Sequence, residues 1–249
     1  MVMRIKPSRI EYVEHNLNFA NFCPHNCQYC YMTPLRGKRE PTIDFDFPEL
    51  RRQLERFEPK GDILLSSSHD PMASKELREV CFTILSIISK EAPSIMPKIR
   101  FLSKAGEFPA LFIPWNLKFG QTITTLREDI RLLVEPGASS VQDRIKALKK
   151  AKEHGKFTWI SFEPCFKGTN IPRVLELIEP DEAWVGKLNH EKAIWMPQFI
   201  PPLALSPQGI WKQIKEAREM GFNVEVKQEL AFHRYCVTLE EYLGVGGRC

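Results

Sequence analysis

Long apolar runs are missing from this sequence: nowhere in its 249 residues do the roughly 20 consecutive apolar residues of a membrane-spanning helix occur. The opening segment, Met1 to Arg9, carries Arg4, Lys6 and Arg9 and has no apolar stretch of the kind that forms a secretory leader. Internal repeats and low-complexity tracts are absent as well. So is a dominant charge, since 35 Lys and Arg stand against 31 Asp and Glu for a net +4, which permits an anionic partner without requiring one. The seven cysteines are an odd number without an export signal, which argues against a disulfide framework and for a reducing, cytoplasmic compartment with no membrane partner. A second Cys or His knuckle, which a structural zinc module needs, is not present. With 43% hydrophobic and 27% charged residues the composition is that of an ordinary globular chain, which excludes disorder.

What is present is a dense local motif. Asn21-Phe22-Cys23-Pro24-His25-Asn26-Cys27-Gln28-Tyr29-Cys30-Tyr31 places three cysteines at the spacing C-x3-C-x2-C, with Pro24 and Asn26 disfavouring continuous helix. A loop of this kind can wrap an iron–sulfur cluster, which is held by thiolates and takes four of them when complete. The motif supplies three, and the next cysteine in the chain is Cys81. One iron is thereby left open to the amino and carboxylate groups of a cofactor. Two other readings stand beside this one: a zinc site completed by His25, whose place between Cys23 and Cys27 makes shared ligation awkward, and thiols that are merely buried.

Along the chain, strand patterns alternate with helix patterns. Strands are expected at Tyr12–Phe22, Gly61–Ser66, Ile99–Ser103, Phe119–Thr124, Phe157–Phe162 and Asp181–Lys187, with a seventh at Phe222–Lys227. Helices are expected from Asp46 through Phe57, at Lys75–Ser89, Val141–His154, Pro172–Ile178 and Pro207–Met220. This alternation implies parallel pairing with right-handed crossovers, hence an α/β fold built as a partial (β/α)6 TIM-type barrel. One domain over residues 1–249 is expected, with its core at about 12–228 and a C-terminal extension at 229–249. The prolines from Met196-Pro197 to Pro201-Pro202 read as a connecting loop over the barrel.

Active faces of parallel barrels lie at the carboxyl ends of the strands. That rule gathers the cysteine loop, Ser66 to Asp70, Lys104, Thr122, Thr124, Glu163 with Cys165, and Lys187 to His190 at one rim.

In these residues the chain resembles the radical S-adenosylmethionine (SAM) superfamily, whose signature is this cysteine spacing with an aromatic, here Tyr29, before the third cysteine. From the cysteine loop to about Cys165 it further resembles the group related to spore photoproduct lyase. The likeness is carried by Ser68-His69-Asp70-Pro71, Leu102-Ser103-Lys104, Thr122-Ile123-Thr124-Thr125, Glu135-Pro136-Gly137-Ala138 and Arg144-Ile145. The resemblance implies that Cys23, Cys27 and Cys30 ligate a 4Fe-4S cluster and that Lys104 and Arg144 face the carboxylate of SAM. It implies that Thr122 or Thr124 bonds the ribose or methionine moiety, that Ser68 and His69 lie near the cofactor's amino group, and that Tyr29 packs on the adenine side. It also implies an electron donor of the flavodoxin or ferredoxin type, and DNA or RNA as a substrate. A basic segment, Arg36-Gly37-Lys38-Arg39, and Lys149, Lys150, Lys152 and Lys156 fit that substrate through salt-dependent phosphate attraction. The group's thiol hydrogen donor in the loop after the second strand is replaced here by Ser67, and Cys165 is the other thiol at the rim. Two further readings are a non-catalytic iron–sulfur module, which has no use for Lys104, Thr124 and Arg144 at strand ends, and a radical SAM modification of a peptide or small metabolite.

Overall fold

Among the described residues, five of the six α-helices are opened by a short polar side chain that accepts the backbone N–H three residues on. Asp46 does this for α1 (Phe47–Leu54), Ser74 for α2 (Lys75–Glu91), Ser140 for α4 (Val141–Glu153), Asn170 for α5 (Ile171–Ile178) and Ser206 for α6 (Pro207–Glu219). The remaining helix, α3 (Glu128–Val134), has no side-chain cap. Between the helices run β1 (Arg4–Pro7), β2 (His15–Asn18), β3 (Ile63–Leu65), β4 (Ile99–Ser103), β5 (Lys118–Thr122), β6 (Thr158–Phe162), β7 (Glu182–Val185) and β8 (Val224–Val226). This computed structural model describes residues 4–32, 40–188 and 200–231.

The strands lie in one sheet in chain order, β1 to β8. β1 pairs antiparallel with β2, and every later neighbour pairs in parallel. The expected parallel α/β barrel is therefore what the chain builds, with the seventh parallel strand realised as β8. Two elements were not expected. β1 is four residues ending in proline, too short to show an alternation, and α3 is a seven-residue helix whose Leu132 and Leu133 are exposed and blur its apolar face.

Side chains alternate across the sheet as the pleat demands. Ile63, Leu65, Ile99, Phe101, Phe119, Ile160, Phe162, Ala183 and Val185 join the helices in the main core. Leu64, Leu102, Trp159 and Trp184 point the other way and pack with Tyr12 and Val13 inside the curve of the sheet. Below them Arg100 forms the floor, donating to Asp62 (2.6 Å) and Glu182 (2.7 Å) with its guanidinium 5.0 Å from the Trp159 ring centroid. Trp159 fits because its neighbour across the pair is Gly120; a Cβ at Gly120 would stand 2.4 Å from the indole. Gly120→Ala is expected to cost about 1–3 kcal/mol as an over-packing change, read by urea denaturation. No helix among the described residues is long and apolar enough to cross a membrane.

Candidate active site

The carboxyl ends of the strands surround a cavity of about 790 Å³. Its wall on one side is the cysteine loop, anchored by Asn21, whose side chain accepts from Thr42 N (2.9 Å) and donates to the Glu40 carbonyl (3.0 Å). Asn26 turns the loop with φ +50°, a conformation asparagine tolerates better than most residues. Cys30 N then bonds the Cys27 carbonyl at 3.1 Å and Gln28 N reaches the Val134 carbonyl at 2.9 Å. Cys23, Cys27 and Cys30 lie on the cavity wall outside any disulfide, the first and third partly exposed and the second buried. Burial pushes the Cys27 thiol up to about 12, against the pull of the nearby Lys104 ammonium. Among the described residues no three Cys, His, Asp or Glu side chains converge as a single metal ion requires. Three soft thiols spread along one wall suit instead a cluster in which each thiolate takes its own iron.

Beside the cysteine loop, whose Tyr31 hydroxyl donates to the Ser67 carbonyl (2.5 Å), the turn after β3 is wrapped around Asn18. The Asn18 Oδ1 accepts from Ser67 N (2.8 Å), Ser68 N (3.3 Å) and Ser66 Oγ (3.1 Å), which holds Ser66 at φ +75°. Strain of this kind in a non-glycine residue persists only where surroundings enforce it. Ser68 donates to the Ala20 carbonyl at 2.9 Å, and His69 Nδ1 lies 2.8 Å from Ser66 Oγ and 3.0 Å from Ser68 Oγ. Both hydroxyls already donate elsewhere, so the proton of that contact belongs to His69 Nδ1. Ser68 and His69 both line the cavity.

Lys104 is half-buried at the end of β4 and lines the same cavity. Burial alone would lower its pKa, but Cys27 and Glu135 outweigh this and raise it, so the side chain is a cation. Its ammonium stands 5.8 Å from the Tyr29 ring centroid. Tyr29 also lines the cavity; its ring packs 5.4 Å from Phe166 and its hydroxyl donates to Glu135. Burial and the Glu135 carboxylate together raise the Tyr29 pKa well above the usual phenol value. Thr122 lines the wall between.

Three expected site residues do not reach this cavity. Arg144 is fully buried: Nη1 donates to the Thr122 carbonyl (3.0 Å), Nε and Nη2 to the Ser139 carbonyl (3.1 and 2.9 Å). Its Nη2 also lies 2.7 Å from Glu135 Oε2, an ion pair between two fully buried side chains. Arg144 thus stands behind the wall, where it braces Glu135. Thr124 is fully buried beyond the end of β5, its carbonyl taken by Phe166 N (2.8 Å) and Thr169 Oγ1 (2.6 Å). Cys165 sits in the main core with Sγ 3.3 Å from the Phe162 carbonyl, and burial raises its pKa. Cys165→Ala is expected to cost about 1 kcal/mol of stability, read by urea denaturation.

Residues without an expected role carry much of the site. Asp70 accepts from His25 Nε2 (2.7 Å), Lys104 N (2.6 Å), Met72 N (2.8 Å) and Ser103 Oγ (2.9 Å), and Glu135 is shared by Tyr29 and Arg144. Asn18 ends β2, which is the signal that could have found it; Asp70 is one of the strand-end residues expected at the rim. Across the cavity, Glu163 pairs with Lys227, and Lys187, Arg9, Glu11 and Glu229 complete that side. Asn189, His190, Met196, Pro197, the segment Arg36-Gly37-Lys38-Arg39, and Cys236 and Cys249 lie outside the described residues.

The family model described as the radical SAM superfamily matches residues 17–179. The chain belongs to the radical SAM superfamily. Among solved structures of that fold, spore photoproduct lyase complexed with a dinucleoside spore photoproduct superposes with a TM-score of 0.65 at 14% identity, covering 90% of this chain and 78% of the lyase. SuiB of Streptococcus suis bound to S-adenosylmethionine gives 0.59 at 11% identity, covering 84% of this chain and 48% of SuiB. A curated relative, the uncharacterized protein ORF301 of Acidianus two-tailed virus, is 24% identical over 261 aligned positions, 87% of this chain and 82% of the viral protein. As a radical SAM protein the chain carries the family's implication of an iron–sulfur cluster and SAM, and its three-cysteine loop falls within the matched residues.

Proposed function

We propose that this chain is a radical SAM enzyme that holds a 4Fe-4S cluster on Cys23, Cys27 and Cys30 and abstracts a hydrogen atom from a substrate at the cavity mouth. The observation that supports this most is the convergence of three thiols, the Lys104 cation and the Ser66–His69 turn on one cavity. When bound, the cluster and SAM supply one-electron reductive cleavage of a carbon–sulfur bond, chemistry that belongs to the cofactors. The chain's own part is placement. Lys104 offers a charge-assisted contact to a carboxylate, and Ser68, His69 and Thr122 offer polar contacts along the same wall. Tyr12, Leu64 and Leu102 close the cavity with apolar surface and limit water below it.

The electron comes, in this reading, from a small flavodoxin- or ferredoxin-like protein, in a reducing, cytoplasmic compartment that keeps the thiols free. For the substrate, one solved structure on this fold holds a dinucleoside and another, SuiB, a precursor peptide, so fold likeness alone does not choose. Two of the four lysines that fit nucleic acid are committed elsewhere: Lys152, in the last turn of α4, donates to the carbonyls of Ile178 and Glu179, and Lys156, just beyond the helix, to those of Ile113 and Trp115. The far side of the cavity mixes acids with bases, Glu163 against Lys227 foremost, which favours a zwitterionic peptide or small metabolite over a polyanion.

The test is anaerobic reconstitution with iron and sulfide, followed by reduction with SAM present. Cluster absorbance with methionine and 5′-deoxyadenosine release is the expected result; a chain that shows neither overturns the reading. Stimulation of 5′-deoxyadenosine release by single-stranded oligonucleotides, and not by peptide or metabolite pools, would overturn the substrate class.

A further inference from the structure

His25 is the residue on which the shape of the cysteine loop turns. It lies between Cys23 and Cys27, is 4% exposed, and is engaged at both ring nitrogens, with Nδ1 2.9 Å from the Gly137 carbonyl and Nε2 2.7 Å from Asp70 Oδ2. Both partners are acceptors. A carbonyl can only accept, and Asp70 already takes the N–H groups of Lys104 and Met72 and the Ser103 hydroxyl. Both imidazole nitrogens are therefore occupied by protein partners, and neither is left for a metal.

The backbone returns the contact. Gly137 N donates to the His25 carbonyl at 2.9 Å, and a Cβ at Gly137 would stand 2.7 Å from the Pro24 oxygen and 2.8 Å from the His25 oxygen. The two segments touch so closely that only glycine fits. On the other side, Asp70 Oδ2 binds His25 Nε2 and the Lys104 N–H together, the latter at 2.6 Å. One oxygen atom thus joins the thiol-bearing loop to the residue that offers a cation to the cofactor.

We infer that His25 is a positioning residue that sets the conformation of the three-cysteine loop and, through Asp70, fixes its distance from Lys104. The loop needs such a strut because Pro24 lacks an N–H and Asn26 sits in a left-handed conformation, which leaves few ladder bonds to hold it. A rigid ring with nitrogens on opposite sides spans Gly137 and Asp70 at once; a glutamine carries its single nitrogen at one end only. The inference rests on the radical SAM reading for its consequence, and on geometry alone for the loop.

Two readouts on the full-length chain test it. In the metal-free protein, alkylation by iodoacetamide is followed by mass spectrometry at Cys27, with the core thiol Cys81 as the internal control. His25→Leu is expected to speed Cys27 alkylation roughly tenfold with Cys81 unchanged, as local opening would. After anaerobic reconstitution, His25→Leu is expected to lower cluster retention about ten- to a hundredfold and to alter the electron paramagnetic resonance response of the reduced cluster to SAM. His25→Gln, which keeps one donor, is expected to fall between His25→Leu and wild type in both. Wild-type Cys27 alkylation and cluster retention in His25→Leu would overturn the inference. Should His25→Leu not fold, the same wild-type values in His25→Gln would overturn it. A wild-type chain that never takes up a cluster defeats the functional reading instead, and the alkylation rates still decide the role of His25.

Discussion

Arg144→Ala is expected to destabilise the chain by about 3–5 kcal/mol, because it strands the Glu135 carboxylate in a site with no access to water. Both side chains of the pair are 0% exposed. Burial acts to raise the Glu135 pKa, and Arg144, then Lys104, then Tyr29 outweigh it, so the carboxyl is held below its usual range. Removing the guanidinium takes away the largest of these supports and also leaves the Ser139 and Thr122 carbonyls without a donor. Against a total stability of about 5–15 kcal/mol for a typical domain, such a loss moves the urea midpoint far down. The double change Arg144→Met with Glu135→Gln should recover much of it, since a buried pair replaced on both sides costs far less than a pair broken on one. A single change that costs under about 1 kcal/mol would mean that Glu135 is not ionised there.

Asp70 gives the second large effect, and it carries a sign in pH. Burial pushes its pKa up, but the hydrogen bond and charge of His25, with the backbone N–H groups of Lys104 and Met72, more than offset this and hold it at about 2. A depressed carboxyl contributes stability that is complete above its ordinary value and is lost as pH falls through the folded one. For Asp70 the window runs from its ordinary value of 3.8 down to about 2, and the contribution is about 2 kcal/mol. Asp70→Asn should therefore lose at least about 2 kcal/mol at pH 7, more if the new amide faces the Lys104 and His25 donors, and should show a shallower loss between pH 4 and pH 2. Urea midpoints at several pH values for both proteins measure this. Parallel curves for the two across that window would contradict the assignment.

Where the sequence was legible, the deciding forces were local. The spacing of Cys23, Cys27 and Cys30 is a property of eight consecutive residues, and it does place the three thiols on one wall. Caps such as Ser140 and Asn170 fix helix starts within one turn, so the expected start at Val141 is the observed one. Lys104 and Thr122 follow from the rule that strand ends face the cavity. Arg144, Thr124 and Cys165 do not, because a residue beyond a strand end, or on a helix, points where its packing sends it.

A non-catalytic iron–sulfur module was to be told apart by Lys104, Thr124 and Arg144 together. Only Lys104 faces the cavity, so that distinction now rests on Lys104 and the serine turn.

By itself the sequence determined the alternation of strands and helices, the three-thiol loop and the face of the barrel that carries it, since periodicity, capping and cysteine spacing act over a few residues. Only the tertiary structure decided that Arg144 braces Glu135 from behind the wall, that Cys165 belongs to the core, and that His25, Asp70 and Lys104 form one chain of contacts. His25 and Asp70 are 45 positions apart in sequence, and Asp70 and Lys104 are 34 apart. Their meeting depends on how the strands and helices pack, which no local pattern of residues encodes.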